Sequence, residues 1–244
     1  MKVLAIIPAR YNSSRFPGKP LIDIKGKSMI QRVYEQVCKS NMVQKVVVAT
    51  DDSRIFNAVV SFGGEVMMTA NTHESGTERC GEIIEKYTGF DVVINIQGDE
   101  PLVQPQQIEQ VLNLFEDPSV NIGTLVKAFD QESELFNPNR VKVVLDQFKN
   151  AIYFSRSPIP YLANVAKENW LDKTTFWKHI GIYAWREKTL KQILKLPVCT
   201  LEKLESLEQL RWLNADLKIR TAETNIETPN IDTPEDLQKV LNRL

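Results

Sequence analysis

The sequence predicts an α/β fold with a mostly parallel sheet and an antiparallel insertion, and three observations support that class. Apolar, β-branched runs such as KVVVAT (45–50) and DVVINI (91–96) alternate with amphipathic stretches through the first half of the chain. This β-α-β-α order implies parallel strands joined by right-handed crossovers, with helices on both faces of the sheet. In the second half, strands are separated by short turns, which favours antiparallel pairing.

The elements follow from these patterns in chain order. Residues 3–7 form a continuous apolar run, which is typical of a strand buried on both faces, and Gly63–Gly64 is a helix stop. The predicted strands are 3–8, 45–50, 65–69, 91–96, 121–128, 141–145, 150–154, 179–185 and 218–222. The predicted helices are 28–39, 53–62, 77–88, 105–115, 187–195, 203–214 and 234–243.

The domain organisation predicted from these elements is a single domain spanning residues 1–244. Within it, LDQFKN (145–150) has the composition of a hairpin turn, and residues 161–177 are less regular, as in an excursion or lid. We therefore expect an insertion at about 121–177 in an otherwise parallel α/β domain.

Composition excludes several function classes. The chain has 244 residues, a net charge of −1 and a pI of about 6.2, so no global field recruits nucleic acid or a membrane surface. Cys38, Cys80 and Cys199 form no C-x-x-C pair, which argues against a disulfide framework or zinc site. With no convincing signal peptide and no membrane-length apolar segment, the expectation is a soluble, cytoplasmic protein.

The loop after the first strand, residues 7–20 (IPARYNSSRFPGKP), carries three cations and no acid. Ligands of open α/β sheets bind at the carboxyl edge, so Arg10, Arg15 and Lys19 predict an anion site there. Gly18 and the serines keep backbone N–H groups close to a phosphate. Neither a P-loop nor a G-x-G-x-x-G motif is present. A solvated basic loop is the alternative.

Two later motifs supply carboxylates. In NIQGDEP (95–101), Asp99 follows a buried strand, where a carboxylate beside a basic loop suits Mg²⁺-bound phosphate. A simple Gly-Asp turn explains it equally well. In NIDTPEDL (230–237), Thr233 and Asp236 already account for the helix start, which leaves Asp232 as a metal-ligand candidate or a surface acid near a helix N-terminus.

A fourth segment, ANTHESGTERCGEI (70–83), places Ser75, Gly76 and Thr77 before a helix that carries Arg79. An ordinary capped helix explains the pattern. As a site, the glycine would let backbone groups approach the flat edge of a nucleotide base.

In this order, the motifs resemble those of the 3-deoxy-manno-octulosonate cytidylyltransferase (CMP-Kdo synthetase) family. The resemblance covers essentially the whole chain and rests on IPARYNSSRFPGKPL, VATDD, SGTER, VINIQGDEP, NPNRVKVVLD, AIYFSRSPIPY, HIGIYAW, LEQLR and IDTPEDL. Enzymes that activate sialic acid are less similar in the Q-G-D-E-P and S-R-S-P-I-P regions. The implied fold is a Rossmann-like nucleotidyltransferase, a three-layer sandwich like that of glycosyltransferase-A enzymes.

The resemblance implies transfer of CMP from CTP to the anomeric hydroxyl of 3-deoxy-D-manno-octulosonate (Kdo), with Mg²⁺ and release of pyrophosphate, for lipopolysaccharide biosynthesis. The implied catalytic residues are Arg10, Lys19, Asp99 and Asp232, the two aspartates being the metal ligands. The implied CTP-binding residues are Arg10, Ser14, Arg15, Lys19, Ser75, Gly76, Thr77, Arg79 and Asp99. The implied sugar-binding residues are Gln97, Arg156, His179, Glu208 and Gln209. A homodimer formed through the insertion at about 121–177 is also implied.

Several alternatives stay open at this point. His179 fits a satisfied polar residue at a strand start, and Glu208 and Gln209 fit exposed positions on a helix. The substrate alternatives are 8-amino-Kdo and a sialic acid. A nucleotide-binding regulator without catalysis would need a broken metal pair or phosphate loop, whereas a glycosyltransferase usually carries a D-x-D motif that QGDEP lacks.

Overall fold

The computed structural model describes residues 1–12, 16–231 and 233–242, which divide into two compact units. Ser14, Arg15 and Asp232, all predicted site residues, lie outside the described residues. The first unit comprises Met1–Glu109, Ile182–Leu194 and Thr228–Leu244. The second unit comprises Gln110–Gly181 and Lys195–Glu227.

The secondary structure alternates strands and helices, as the sequence predicts. The strands are β1 (Val3–Ala9), β2 (Asp23–Ile24), β3 (Lys27–Ser28), β4 (Lys45–Thr50), β5 (Val66–Met68), β6 (Val92–Asn95), β7 (Ile122–Ala128), β8 (Lys142–Leu145), β9 (Ala151–Ser155), β10 (Trp177–Arg186) and β11 (Arg220–Glu223). The helices are α1 (Met29–Val37), α2 (Ser53–Ser61), α3 (Gly76–Lys86), α4 (Pro105–Asn113), α5 (Glu132–Leu135), α6 (Trp170–Lys173), α7 (Glu187–Ile193), α8 (Thr200–Glu205), α9 (Gln209–Asn214) and α10 (Pro234–Leu241).

The first unit is built on a sheet in the order β10-β6-β1-β4-β5. β1 pairs in parallel with β4 and β6, and β4 pairs in parallel with β5, whereas residues 183–186 of β10 run antiparallel to β6. Residues 3–7 are fully buried, because a central strand with helices on both faces has no wet side. The prediction of a mostly parallel sheet with antiparallel strands is confirmed.

The helices of the first unit begin and end where local chemistry requires. Ser28 caps α1 by accepting a hydrogen bond from the Gln31 backbone N–H at 3.3 Å. Beyond α2, Gly63 adopts φ +78°, the left-handed conformation that favours glycine and ends a helix. The predicted helix stop at this position is therefore confirmed.

The last helix, α10, is held by an apolar cluster. Ile231 and Val240 are fully buried with Ile24 and Met29, and this packing holds Ile231 and α10 in place. As a result, the Ile231 backbone N–H donates to the Asp99 carbonyl oxygen at 3.0 Å. At the start of α10, the Asp236 carboxylate accepts from the Thr233 backbone N–H at 3.2 Å, as the predicted capping box requires.

The second unit contains the antiparallel pairing that the sequence predicts. β8 and β9 form a hairpin through LDQFKN (145–150), and the Asp146 N–H donates to the Asn150 carbonyl at 2.9 Å. β7 pairs in parallel with β11, which the short-turn pattern did not predict. In the irregular segment 161–177, Trp170 is buried against Phe176 and anchors the excursion.

The predicted helix 203–214 is wrong as a single element. The chain forms α8 and α9 instead, separated at Ser206, which adopts φ 51°. The Arg156 guanidinium donates to the Glu205 and Ser206 carbonyls at 2.7 and 3.3 Å. A continuous helix would use these carbonyls within the helix, so the contact with Arg156 competes with helix continuation.

No helix in the described part of the chain is long and apolar enough to cross a membrane. The single-domain organisation and the role of residues 121–177 stay predictions.

Candidate active site

A cavity of about 250 Å³ lies at the carboxyl ends of β1 and β6 in the first unit. It brings together three of the four segments singled out from the sequence. The residues that line it are Pro8, Ala9, Arg10, Lys19, Pro20, His73, Glu74, Ser75, Gly76, Arg79, Gln97, Gly98 and Asp99. Seven of the predicted site residues are in this set, and this location is where open α/β sheets bind ligands.

The charged centre of the cavity is an ion pair between Lys19 and Asp99. Lys19 Nζ lies 2.7 Å from Asp99 Oδ2, and the two side chains are 11% and 28% exposed. Gly98, next to Asp99, lets the loop after β6 lie close to β1, because a Cβ there would lie only 2.7 Å from the Pro8 carbonyl oxygen. The cation and the carboxylate therefore face the same cavity, and both are accessible to a ligand.

The basic loop is closed at its base by contacts that the sequence did not reveal. The Gly18 N–H donates to the Tyr11 carbonyl at 2.9 Å, and Gly18 adopts φ +73° against the Tyr11 ring. The Arg54 guanidinium stacks on that ring at 3.3 Å while Asp52 accepts two of its side-chain N–H groups. Residues 11 and 18 are thereby held together at the base of the loop.

The fourth segment is both a capped helix and part of the cavity wall. Ser75 accepts from the Glu78 N–H at 3.1 Å, as a standard N-cap, and Gly76 begins α3 beside Pro8. Arg79 is buried, donates to Thr69 Oγ1 and lies 3.5 Å from Asp51. Thr77 is buried and does not line the cavity. Base-binding roles for these residues stay predictions.

The fit to a divalent cation rests on Asp99 and its surroundings. Its carboxylate faces the cavity, and its backbone is bonded to Ile231, the sequence neighbour of Asp232. Burial, together with the adjacent Asp99 charge, raises the pKa of Glu100 to about 8, so this neighbouring carboxyl is mostly neutral near pH 7. Among the described residues, no group of three His, Cys, Asp or Glu could hold a metal ion. Mg²⁺ in nucleotide sites is commonly bound through one or two carboxylates together with substrate phosphates, and Asp99 offers one such carboxylate to the cavity.

Four of the predicted sugar-binding residues lie in the second unit. His179 Nε2 is 3.1 Å from Thr124 Oγ1, and burial lowers its pKa to about 3, so the ring is neutral near pH 7. Gln209 is buried and Glu208 is partly buried. Gln97, the fifth, lines the cavity of the first unit.

Arg156, the fourth residue of this group, donates to three backbone carbonyls. They belong to Pro138, Glu205 and Ser206. Glu205 also accepts from the Arg156 N–H at 2.9 Å. Near it, the fully buried Lys142 donates to the Arg156 carbonyl at 2.9 Å, and burial lowers the pKa of Lys142 to about 8.

Sequence reasoning missed several residues that shape the first-unit cavity. His73 and Glu74 line it, and Glu82 on α3 contacts His73 at 2.6 Å. Glu78 and Glu82 are four residues apart, so their shared helix face is readable from sequence. Their contacts with the loop before α3 cannot be read from the sequence, because these contacts depend on how that loop folds back onto the helix.

Comparisons with known proteins agree with this fold. A family model described as Cytidylyltransferase matches residues 4–219, which defines the class. Proteins named 3-deoxy-manno-octulosonate cytidylyltransferase from Parabacteroides distasonis and Bacteroides thetaiotaomicron are 55% and 54% identical, over 99% and 98% of this chain and 97% and 96% of theirs. The chain belongs to the 3-deoxy-manno-octulosonate cytidylyltransferase family.

Solved structures support the same assignment. The structure of a CMP:2-keto-3-deoxy-manno-octonic acid synthetase complexed with CTP aligns with a TM-score of 0.93 and 46% identity, over 100% of this chain and 98% of that one. A thymidylyltransferase from Bacillus anthracis aligns with a TM-score of 0.68 at 17% identity, over 99% and 94% of the two chains. The latter likeness shows the fold alone.

Proposed function

We propose that this chain transfers CMP from CTP to the anomeric hydroxyl of Kdo, giving CMP-Kdo and pyrophosphate. The observation that carries the proposal is the cavity at the β1 and β6 edge, where Lys19, Asp99 and the start of α3 meet, in a member of this family. In the reaction, the hydroxyl oxygen of Kdo bonds to the α-phosphorus. The α–β phosphoanhydride bond breaks, pyrophosphate leaves, and the hydroxyl proton passes to solvent.

The chain's own groups suit in-line phosphoryl transfer, which depends on positioning and charge stabilisation. Arg10 and Lys19 hold the triphosphate and stabilise the charge that develops on pyrophosphate, with Arg15 and Ser14 assigned to the same loop. Ser75, Gly76, Thr77 and Arg79 are assigned to the base. Gln97, Arg156, His179, Glu208 and Gln209 are assigned to the sugar.

Asp99 and Asp232 would hold Mg²⁺. When bound there, Mg²⁺ would supply charge neutralisation for the triphosphate and favour ionisation of the attacking hydroxyl. What supports this assignment is the carboxylate of Asp99 in the cavity and the bond from Ile231 to the Asp99 backbone.

The Mg²⁺ assignment is tested by Asp99→Asn. We expect this variant to melt like the wild type, because the amide is isosteric with the carboxylate. Its activity should fall ~10²-fold or more, the scale of several kcal/mol of metal stabilisation. The readout is a Mg²⁺ titration of turnover, and an unchanged Mg²⁺ dependence would contradict the assignment.

The reaction itself is tested by pyrophosphate release with CTP and Mg²⁺, with and without Kdo. UTP, 8-amino-Kdo and a sialic acid are run alongside. Release that needs both CTP and Kdo supports the proposal. Release with another sugar acid but not Kdo would move the specificity, and no release from folded protein that binds CTP would indicate a regulator.

A homodimer and a cytoplasmic location are further parts of the proposal. Phe148 and Ile152 on the β8–β9 hairpin are 65% and 57% exposed, which supports an interface within residues 121–177. Light scattering at micromolar concentration should give twice the mass of the chain, and a monomer would count against the dimer. The three free cysteines, Cys38, Cys80 and Cys199, are consistent with a reducing compartment.

A further inference from the structure

Two carboxylates on α3 hold the loop that precedes the helix. Glu82 Oε2 accepts from the Ala70 backbone N–H at 2.8 Å and contacts His73 Nε2 at 2.6 Å. One turn earlier, Glu78 Oε2 accepts from the Glu74 backbone N–H at 2.7 Å. Residues 70–74 have no regular secondary structure of their own, so these bonds determine their path.

The ionisation state of the Glu82 carboxyl determines which group donates the hydrogen bond between Glu82 and His73. Burial pulls the pKa of the Glu82 carboxyl upward, but the bonds from Ala70 and His73 outweigh it, and the pKa lies below its ordinary value. An ionised carboxylate only accepts hydrogen bonds, so His73 Nε2 is the donor. The His73 ring is thereby held where it lines the cavity.

Charge indicates which part of a nucleotide this loop faces. The loop and the first turns of α3 carry the carboxylates of Glu74, Glu78 and Glu82, which would repel a triphosphate. Two of the cations that line the cavity, Arg10 and Lys19, come from the other segment, residues 7–20. The third, Arg79 on α3, is buried and already lies 3.5 Å from the Asp51 carboxylate. The uncharged base is therefore the part of the nucleotide that suits the loop 70–74.

We propose that Glu82 positions the loop 70–74, with Glu78 supporting it, and that the Glu82–His73 pair thereby determines selection of cytosine over uracil. This inference rests on the proposed function. Cytosine carries a 4-amino donor beside the N3 acceptor, whereas uracil carries O4 and N3–H, so the two edges have opposite patterns. A loop held by three hydrogen bonds presents its donors and acceptors in fixed positions. Groups that match cytosine therefore cannot rearrange to match uracil, and the site prefers CTP over UTP.

Glu82→Ala and Glu82→Gln test the proposal, with Glu85→Ala as the matched control. Glu85 is exposed on the same helix, three residues further along. Binding of CTP, UTP and inorganic tripolyphosphate is measured by calorimetry with Mg²⁺. Glu82→Ala should weaken CTP binding about tenfold, the scale of a charge-assisted hydrogen bond, and lower the CTP-over-UTP preference by a similar factor. Tripolyphosphate affinity should change less than twofold.

The conservative variant separates positioning from a general structural effect. Glu82→Gln keeps an oxygen that accepts the same bonds, so its CTP affinity should return to within threefold of wild type. Equal losses for CTP and tripolyphosphate, or no loss in Glu82→Ala, would overturn the proposal. If Glu82→Ala does not fold, His73→Ala must lower the CTP-over-UTP preference at least threefold without weakening tripolyphosphate, and failure to do so would also overturn it.

Failure of this inference is distinguishable from failure of the proposed function. A wild-type protein that requires CTP and Kdo for pyrophosphate release, with variants that keep its base preference, overturns the inference alone. Wild-type protein without Kdo-dependent release overturns the proposed function. If it still prefers CTP and Glu82→Ala removes that preference, the role of Glu82 stands.

Discussion

Gly98→Ala should lower activity by displacing the loop after β6, which carries Asp99. A Cβ at residue 98 would lie 2.7 Å from the Pro8 carbonyl oxygen, so the two backbones must separate by roughly 0.7 Å to reach ordinary contact at 3.4 Å. β1 cannot give way, because it is paired on both sides in the sheet. The loop after β6 must therefore move, and Asp99 moves with it relative to the rest of the cavity.

The expected magnitude follows from that displacement. Misplacement of a reacting group by about 1 Å costs up to ~10²-fold in rate, so kcat/KM should fall about 10–100-fold, or ~1.4–2.7 kcal/mol of transition-state stabilisation. Overpacking adds a stability cost of about 1–3 kcal/mol, which lowers Tm by roughly 2–12 °C for a chain of this size.

The assay is steady-state pyrophosphate release with CTP and Kdo, together with a thermal melt. Gly181→Ala is the control for the melt, because a Cβ at Gly181 meets no neighbouring atom within 4 Å. If Gly98→Ala retains kcat/KM within threefold and an unchanged Tm, the close approach to Pro8 does not constrain the site and the reasoning is refuted.

Three other predictions concern single side chains. Lys19→Ala should lower kcat ~10²–10³-fold in the same assay, as expected for one preorganised charge, and a loss under threefold would contradict its role. Gly81→Ala places a Cβ against the terminal methyl groups of the partly exposed Leu194, which can rotate away, and alanine is favoured over glycine by about 1 kcal/mol inside a helix, so Tm should rise by up to about 2–4 °C with kcat/KM within threefold; a fall in Tm would contradict this. Burial lowers the pKa of His179 to about 3, so the unfolded chain takes up a proton below pH ~6.5 that the folded chain excludes. The contribution of neutral His179 to the free energy of unfolding is complete above pH ~6.5 and is lost at up to ~1.4 kcal/mol per pH unit between pH ~6.5 and pH ~3. In His179→Gln, Tm should therefore fall less steeply as the pH is lowered than in the wild type. Parallel curves of Tm against pH for the two proteins would refute this.

The parts of the fold that sequence predicted are those encoded locally. The apolar runs at 3–8 and 91–96 mark central strands, because burial on both faces leaves no polar alternation. Their carboxyl ends meet at one sheet edge, so the cavity around Lys19 and Asp99 was predictable from motif order and topology.

The remaining features depend on contacts between distant segments. Parallel pairing of β11 with β7 leaves no local trace, since either strand alone fits several partners. The break at Ser206 likewise depends on a guanidinium fifty residues earlier in the chain, whereas the local periodicity of 203–214 favours one helix. The bonds from Glu82 to the loop 70–74 required the fold of the loop itself.

The contacts of Arg156 predict that the residues it contacts can be substituted, whereas Arg156 itself cannot. Its planar fork recognises the carbonyls of Pro138, Glu205 and Ser206, and every residue type supplies a carbonyl. Substitutions at 138 or 206 that keep the backbone path, such as Ser206→Gly or Ser206→Asn, should therefore be accepted over evolutionary drift. Lysine at 156 should not be, because an ammonium on a flexible stem cannot reach three divergent acceptors at once. We therefore expect far fewer substitutions to be accepted at residue 156 than at residues 138 and 206, although they form the same contact.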